Sequence, residues 1–391
     1  MNKHLLPQFL TIVTLILISC GGNAPVSTPA VDPSAVAAVV STILAGNSTA
    51  TPLPQPTATF TPEPPTVLPR SLYYLAQDGN GKEQIFRLGR DGATITQITF
   101  EQVNISDFDI SPLDGTIAYI VGDNLTTMNA NGQNRQALVQ DSNIGFRLVW
   151  SPDGKTIVYG YPDVVFYSPT LGTKDVIISG KDAKYWPAYF SPDGSRLIVW
   201  EKPIIPSAPG SEPVFIYDFN SRTLTSASDC SGRNISWNTS DSIFCYKYVF
   251  AGGGSLGLSQ VNAMDGSAKT LIFSEICPPC LPIAAPRFSA DGNLYYLYAE
   301  VNDVTQTYPS LSLVYSVSDD ISSRQRVRPE SFNVLNTLWA PNGDGLLIVQ
   351  NNGNSSFPTN ILLVSIEPSL PIVTVIPDAS KINPYSLRWG P

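Results

Sequence analysis

From Ser71 onward short apolar runs alternate with turn residues, and one arrangement recurs at intervals of about 40 to 50 residues. An apolar residue is followed by Ser-Pro-Asp-Gly or a variant of it, then by a short apolar run. The copies are DISPLDGTIAYI from Asp109, VWSPDGKTIVYG from Val149, YFSPDGSRLIVW from Tyr189, SWNTSDSIFCY from Ser236, RFSADGNLYYLY from Arg287 and LWAPNGDGLLIV from Leu338. Asp-Gly or Asn-Gly between two apolar runs supplies the positive φ of a tight turn, and the preceding Pro has no amide to give to a ladder. Each copy therefore predicts a β-hairpin. The residues just before the turns are Ile110, Trp150, Phe190, Trp237, Phe288, Trp339 and, at the chain's end, Trp389; seven apolar anchors imply seven equivalent core sites.

Two more strands follow each hairpin. The third series starts at Gln84, Leu125, Val164, Val214, Leu256, Leu311 and Ile361, and the fourth at Ile95, Arg135, Asp175, Thr223, Lys269, Arg324 and Ile372. Seven sets of four short strands predict an all-β fold, a seven-bladed β-propeller rather than one of six or eight blades. The seventh set is split: Leu387–Trp389 would pair with Leu72–Leu75 and close the ring, which removes the exposed edges of an open sheet.

The segment before Ser71 reads differently. A basic start at Lys3, an apolar run from Phe9 to Ile18 and then Leu17-Ile18-Ser19-Cys20 make a stretch too short to span a membrane. It resembles the lipobox of bacterial lipoproteins, which implies a signal peptide over 1–19 and a lipid on Cys20, with the protein exported and anchored at the periplasmic or extracellular face of the envelope. Residues 20–70 carry ten prolines and only three charged residues, Asp32, Glu63 and Arg70: a tether, with the domain over 71–391. Within the tether, Asp32-Pro33-Ser34 before AVAAVVSTILAG has the signals of a short helix.

Removal of 1–19 takes away Lys3 and the one histidine, His4, and moves the formal charge from −9 to −10. Such a chain lacks the base of a Ser-His-Asp or Cys-His site and does not look like a phosphate-backbone binder, so no nucleic acid is expected. Of five cysteines, Cys20 is reserved for lipid. The remaining four suggest pairings Cys230 with Cys245 and Cys277 with Cys280. The second pair, Cys-Pro-Pro-Cys, reads as a loop staple because the βαβ context of a redox motif is missing.

WSPDGKTIVYG and FSPDGSRLIVW followed by VFIYDF resemble the propeller repeat of the TolB C-terminal domain, shared with the propellers of dipeptidyl-peptidase and prolyl-oligopeptidase enzymes. The resemblance covers about Ser71 to Pro391. It implies a propeller scaffold and, from TolB, a binding role in the envelope. The hydrolase half of the peptidases would bring a serine nucleophile with a histidine to activate it, and the chain without 1–19 would hold no histidine. The expectation is a non-enzymatic, monomeric binding module without cofactor or metal.

In a blade of this order, the connections from strand two to strand three and from strand four to the next strand one share one face. Those after strand two lengthen at Glu201–Pro213, Val249–Leu256, Glu300–Ser310 and Gln350–Asn360. Aromatic residues at this face, Phe146, Tyr185, Trp186, Tyr248, Phe250, Tyr308, Phe357 and Tyr385, are candidate anchors for a protein, a peptide or an envelope polymer. About half of them should pack beneath their own loops. Tyr185 and Trp186, beside Lys184, form the preferred pair. Asp107 with Asp109, and the run Asp78–Glu83, are the weak carboxylate clusters; a calcium loop matches the second only in part. Two other readings stay open: a glycan-acting enzyme using a carboxylate pair across the ring mouth, and a purely structural envelope lipoprotein.

Overall fold

The computed structural model describes residues 66–141, 144–202, 212–231, 235–248, 255–273, 283–299, 310–317, 320–352 and 357–391. They belong to one compact unit, Glu63–Pro391. The signal segment, Cys20, the possible helix, Cys277 and Cys280 lie outside the described residues.

The first sheet is built from β1 (Leu72–Gln77), β2 (Glu83–Leu88), β3 (Ile95–Gln97) and the last strand, β27 (Arg388–Trp389), in the order β27-β1-β2-β3. The second contains β4 (Ile105–Ile110), β5 (Ile117–Val121), β6 (Asn124–Met128) and β7 (Gln136–Gln140). The third contains β8 (Leu148–Trp150), β9 (Ile157–Tyr159), β10 (Val164–Ser168) and β11 (Thr173–Ile178). The fourth contains β12 (Tyr185–Phe190), β13 (Arg196–Glu201), β14 (Pro213–Asp218) and β15 (Thr223–Ser231). The fifth contains β16 (Ile235–Thr239), β17 (Ser242–Tyr248), β18 (Ser255–Asn262) and β19 (Ala268–Phe273). Each is an antiparallel meander of four strands, an all-β arrangement consistent with a β-propeller.

The last sheet departs from the sequence reading. Strands β20 (Ile283–Phe288), β21 (Leu294–Ala299), β22 (Ser310–Val317), β23 (Asp320–Trp339), β24 (Gly345–Gln350), β25 (Asn360–Ser365) and β26 (Val373–Ile376) form one seven-stranded sheet. Two four-stranded sets share β23, whose first half pairs with β22 and whose second half pairs with β24. The expected fourth strand from Arg324 and the next first strand, ending at Trp339, are thus one strand. The register with β22 shifts between Arg326 and Ser331, around Pro329, without ending the strand, and the buried Arg328 guanidinium donates to the carbonyls of Ser365 (3.3 Å) and Leu370 (2.9 Å), holding the junction against the following strands.

The turns form as the repeat requires. Ser151 N–H donates to Thr156 O (2.8 Å), Gly154 N–H to Ser151 O (2.9 Å), and the Ser151 hydroxyl to Asp153 (2.6 Å). Gly154 has φ +65, and a Cβ there would stand 2.5 Å from Leu113 Cβ, so only glycine lets this turn lie against its predecessor.

Apolar clusters fill the spaces between neighbouring sheets and between the two halves of the seven-stranded sheet. Phe108, Ile117 and Tyr119 meet Tyr73 and Ile85; Leu148 and Tyr159 meet Ile120; Leu197 and Val199 meet Val158. Ile243 and Cys245 meet Trp200; Leu294 and Tyr296 meet Phe244; Leu346 and Ile348 meet Leu297 and Leu313. The remaining cluster joins Leu347 and Val349 of β24 to Leu72 and Tyr74 of β1, last to first. Strands packed on both faces need not alternate, and β5 and β9 are buried throughout. Leu68 is buried in that same cluster, and Val67 and Leu68 both donate to Arg90 O, so the packed domain begins before Ser71.

A disulfide joins Cys230 at the end of β15 to Cys245 in β17, stitching the fourth sheet to the fifth.

Candidate functional site

Three connections meet at the face predicted to carry recognition. Phe146 lies between β7 and β8, Tyr161 between β9 and β10, and Lys184 just before β12. Two glycines make the approach possible. A Cβ on Gly145 (φ +72) would sit 2.9 Å from the Gly160 carbonyl carbon and 3.0 Å from Tyr161 Cβ, and one on Gly160 (φ +121) would sit 2.3 Å from Asp163 O. The Tyr161–Pro162 peptide is cis, and Pro162 O accepts the Tyr185 amide (3.1 Å), tying this connection to the next sheet. Lys202 N–H donates to Lys184 O (2.7 Å), which fixes the two lysines side by side.

The result is an aromatic triad with cations around it. Ring centroids of Phe146, Tyr161 and Trp186 lie 5.7 to 5.9 Å apart, all tilted. The ammonium groups of Lys184 and Lys202 stand 5.9 and 5.7 Å from the Tyr161 ring. Next to Phe146, the Arg147 guanidinium lies 5.0 Å from the Trp200 ring centroid, and Trp200 meets Tyr189 edge-on. Among the described residues, Arg147, Lys184 and Lys202 form no ion pair with a carboxylate. Phe146 is 49% exposed and Tyr161 half-buried, so solvent reaches two of the three rings. Lys184 and Lys202 beside the open Tyr161 face suit a ligand that joins negative charge to a flat apolar surface.

Deeper in the fold, β27 and β4 bring opposite charges together. Arg388 lies 3.5 Å from Asp109 and 3.7 Å from Asp107. Asp107 also accepts the Leu148 amide (3.1 Å), and Asp109 the Trp150 amide (2.8 Å). Burial pushes both carboxyls up, opposed by Arg388; burial also works against the Arg388 charge, but the two carboxylates outweigh it and raise its pKa. Both acids stand on one strand and share one guanidinium, a joint between two sheets rather than an acid–base pair facing across a mouth. Asp78 likewise caps its own turn, accepting the amides of Asn80 and Lys82. Among the described residues no three His, Cys, Asp or Glu side chains are placed to hold a metal ion.

The predicted anchors separate. Tyr185 and Trp186 do not form an exposed pair, because neighbours along a strand point to opposite sides. Trp186 is buried beneath Phe146 and Tyr161, while Tyr185 meets Phe215 edge-on in the space between the third and fourth sheets, and its hydroxyl is pushed up by burial, with Glu201 and Asp182 adding to the shift. Phe357 and Tyr385 are exposed and away from the triad's contacts. Tyr248 ends β17 as backbone, and Phe250, Tyr308 and most of the long connections lie outside the described residues. Tyr161, Arg147 and Lys202 were not singled out by sequence; the signal was the short Gly160-Tyr161-Pro162 connection rather than a long one.

No protein-family model matches the chain, and no curated protein matches its sequence. Solved structures match its fold. A puromycin-hydrolysing peptidase of Mycobacterium tuberculosis is 14% identical with a TM-score of 0.53 over 80% of this chain and 53% of its own, so the chain spans about half of that protein. Oligogalacturonate lyase of Vibrio parahaemolyticus is 9% identical with a TM-score of 0.50, over 80% of this chain and 86% of the lyase. TolB of Acinetobacter baumannii is 16% identical with a TM-score of 0.44, over 82% and 67%. The first two likenesses show a shared fold and nothing about chemistry.

Proposed function

We propose that the protein is an exported binding module: a closed ring of seven blades, held at the envelope by a lipid on Cys20, that engages an acidic protein, peptide or envelope polymer through the face around Tyr161. Seven interface clusters in cyclic order support the closed ring, because a propeller closes by packing its last blade against its first. The pairing of Leu72 with Trp389 and Tyr73 with Arg388 supports the split blade. The Leu17–Cys20 signal and the proline-rich tether support export and anchoring.

The observation that carries the reading is the convergence of Lys184 and Lys202 on one half-exposed tyrosine ring beside an exposed phenylalanine, in a chain of formal charge −9. Cations kept out of ion pairs on an acidic protein steer an anionic partner and set its register. The test is capture from envelope extract by the full-length protein and by its Lys184→Glu/Lys202→Glu variant. Loss of one acidic partner from the variant is the expected result, and identical capture by both overturns the assignment of the face.

A further inference from the structure

We propose a second binding site, independent of the Tyr161 face, in which an extended segment of another polypeptide adds to the outer edge of β11 and places an aromatic side chain between the third and fourth sheets. The turn joining β14 to β15 lies at the opposite end of β14 from Lys202 and its connection, so this site and the Tyr161 patch sit on opposite faces. Here a cleft of about 240 Å³ opens, lined by Phe166, Asp175, Ile177, Tyr217, Phe219 and Arg222.

Its floor is aromatic. Phe219 lies 5.8 Å from Phe166, stacks on Phe190 at 5.6 Å and meets Tyr217 edge-on at 5.2 Å. Its rim carries one charge of each sign: Asp175 in β11 and Arg222 after the turn both act on the Tyr217 hydroxyl, whose pKa burial raises. Arg222 has φ +56, a left-handed backbone uncommon for a residue with a side chain. The turn before it is pinned by Asp218, which accepts the amides of Asn220 and Ser221 (both 2.9 Å). Among the described residues neither Arg222 nor Asp175 forms an ion pair.

The edge decides the occupant. β11 is the last strand of its sheet, so one side of its backbone has no partner strand among the described residues. Charge guards part of this edge, at Asp175 and at Lys174, which pairs with Asp141 at 3.5 Å, but the strand also exposes Val176 at 52% and, just before it, Leu171 is 74% exposed. A strand added there gains main-chain hydrogen bonds, and every second side chain would face the cleft. A central aromatic residue fits the ring-lined floor, with a basic residue two positions to one side for Asp175 and an acidic residue two positions to the other for Arg222.

The probe is the blocked peptide acetyl-Thr-Lys-Thr-Phe-Thr-Glu-Thr-amide, titrated into the full-length protein while the amides of Thr173–Ile178 are followed by NMR and hydrogen exchange. Protection of these amides is expected, weakened about tenfold when the peptide's Phe is replaced by Ala, and lost when its backbone is N-methylated. Arg222→Asp and the edge variant Val176→Lys, neither of which empties the core, should each abolish the protection, and Lys184→Glu should leave it unchanged. Binding that survives Val176→Lys, binding indifferent to N-methylation, or no change in β11 at all overturns the proposal. So does self-association of the unliganded protein that Val176→Lys removes, because a second copy would then be the occupant.

Discussion

Arg388 Nε lies 3.5 Å from the carboxylate of Asp109, joining the last strand of the chain to the first strand of the second sheet. The same guanidinium reaches Asp107 at 3.7 Å, so it answers two mostly buried carboxylates, helped at Asp107 by Arg147, at the seam where β27 completes the first sheet. Leu72–Trp389 and Tyr73–Arg388 pair between β27 and β1, a bridge joins Ala76 and Ile382, and the amides of Gly390 and Asn383 donate to Ser71 O (2.8 Å) and Leu75 O (2.9 Å), so the ion pairs add to a backbone seam.

Arg388→Ala should therefore be severely destabilising, by about 3–5 kcal/mol, because it strands two buried carboxylates. Adding Asp107→Asn and Asp109→Asn should recover most of the loss: an asparagine oxygen still accepts the amides of Leu148 and Trp150 without needing a cation. Denaturant unfolding of the single and triple variants measures both; a triple variant as unstable as the single would show that the ion pairs are not what Arg388 supplies.

The anchor tryptophans make a second, separable contribution. Trp237 Nε1 donates to Tyr189 O (3.1 Å), Trp339 Nε1 to Ala285 O (3.0 Å) and Trp389 Nε1 to Trp339 O (2.8 Å), linking β16 to β12, β23 to β20 and β27 to β23. The equivalent nitrogen of Trp150 is buried with no hydrogen-bond partner. Trp→Phe at 237, 339 or 389 should cost about 1 kcal/mol more than the same change at Trp150, where the lost group is an unpaired donor. Thermal and urea unfolding of the four variants gives the comparison.

The Ser-Pro-Asp-Gly turns also have a pH signature. The Ser191 hydroxyl, then the Ser195 amide and hydroxyl and Ser240, hold the Asp193 carboxyl down at about 2. A carboxyl lower in the folded than in the unfolded chain stabilises fully above its unfolded value, about 3.9, and loses that share as pH falls through its folded value. The stability gap between the protein and Asp193→Asn should thus be constant above about pH 5 and close between about pH 4 and pH 2. NMR titration of the Asp193 carboxyl should show a midpoint near 2, and a midpoint near 4 would remove the turn's pH dependence.

Much of the fold was legible because the turn chemistry is local. Asp-Gly at Gly154, Gly194 and Gly292 marks a hairpin whatever surrounds it, and the four series of apolar runs coincide with the strands. The continuous β23 escaped because a strand passing between two sets carries no turn signal. Phe146 was legible as an aromatic at a connection, and Lys184 as the charged neighbour of Tyr185 and Trp186. Tyr161 and Lys202 were not, since the site exists only where Gly145 and Gly160 let separate connections touch. Sequence could pair Asp107 with Asp109 by proximity, yet not with Arg388, whose nearness is created by the seam.

Capture of an acidic partner at the Tyr161 face is tested most directly by the affinity of the partner isolated from envelope extract for the full-length protein, for Lys184→Glu/Lys202→Glu and for the opposite-face variant Val176→Lys, across a salt series. Binding should weaken at least about tenfold in the lysine variant, be unchanged in Val176→Lys, and fall with rising salt more steeply for the unmodified protein than for the lysine variant. Equal affinity and equal salt dependence with and without the two lysines would contradict it.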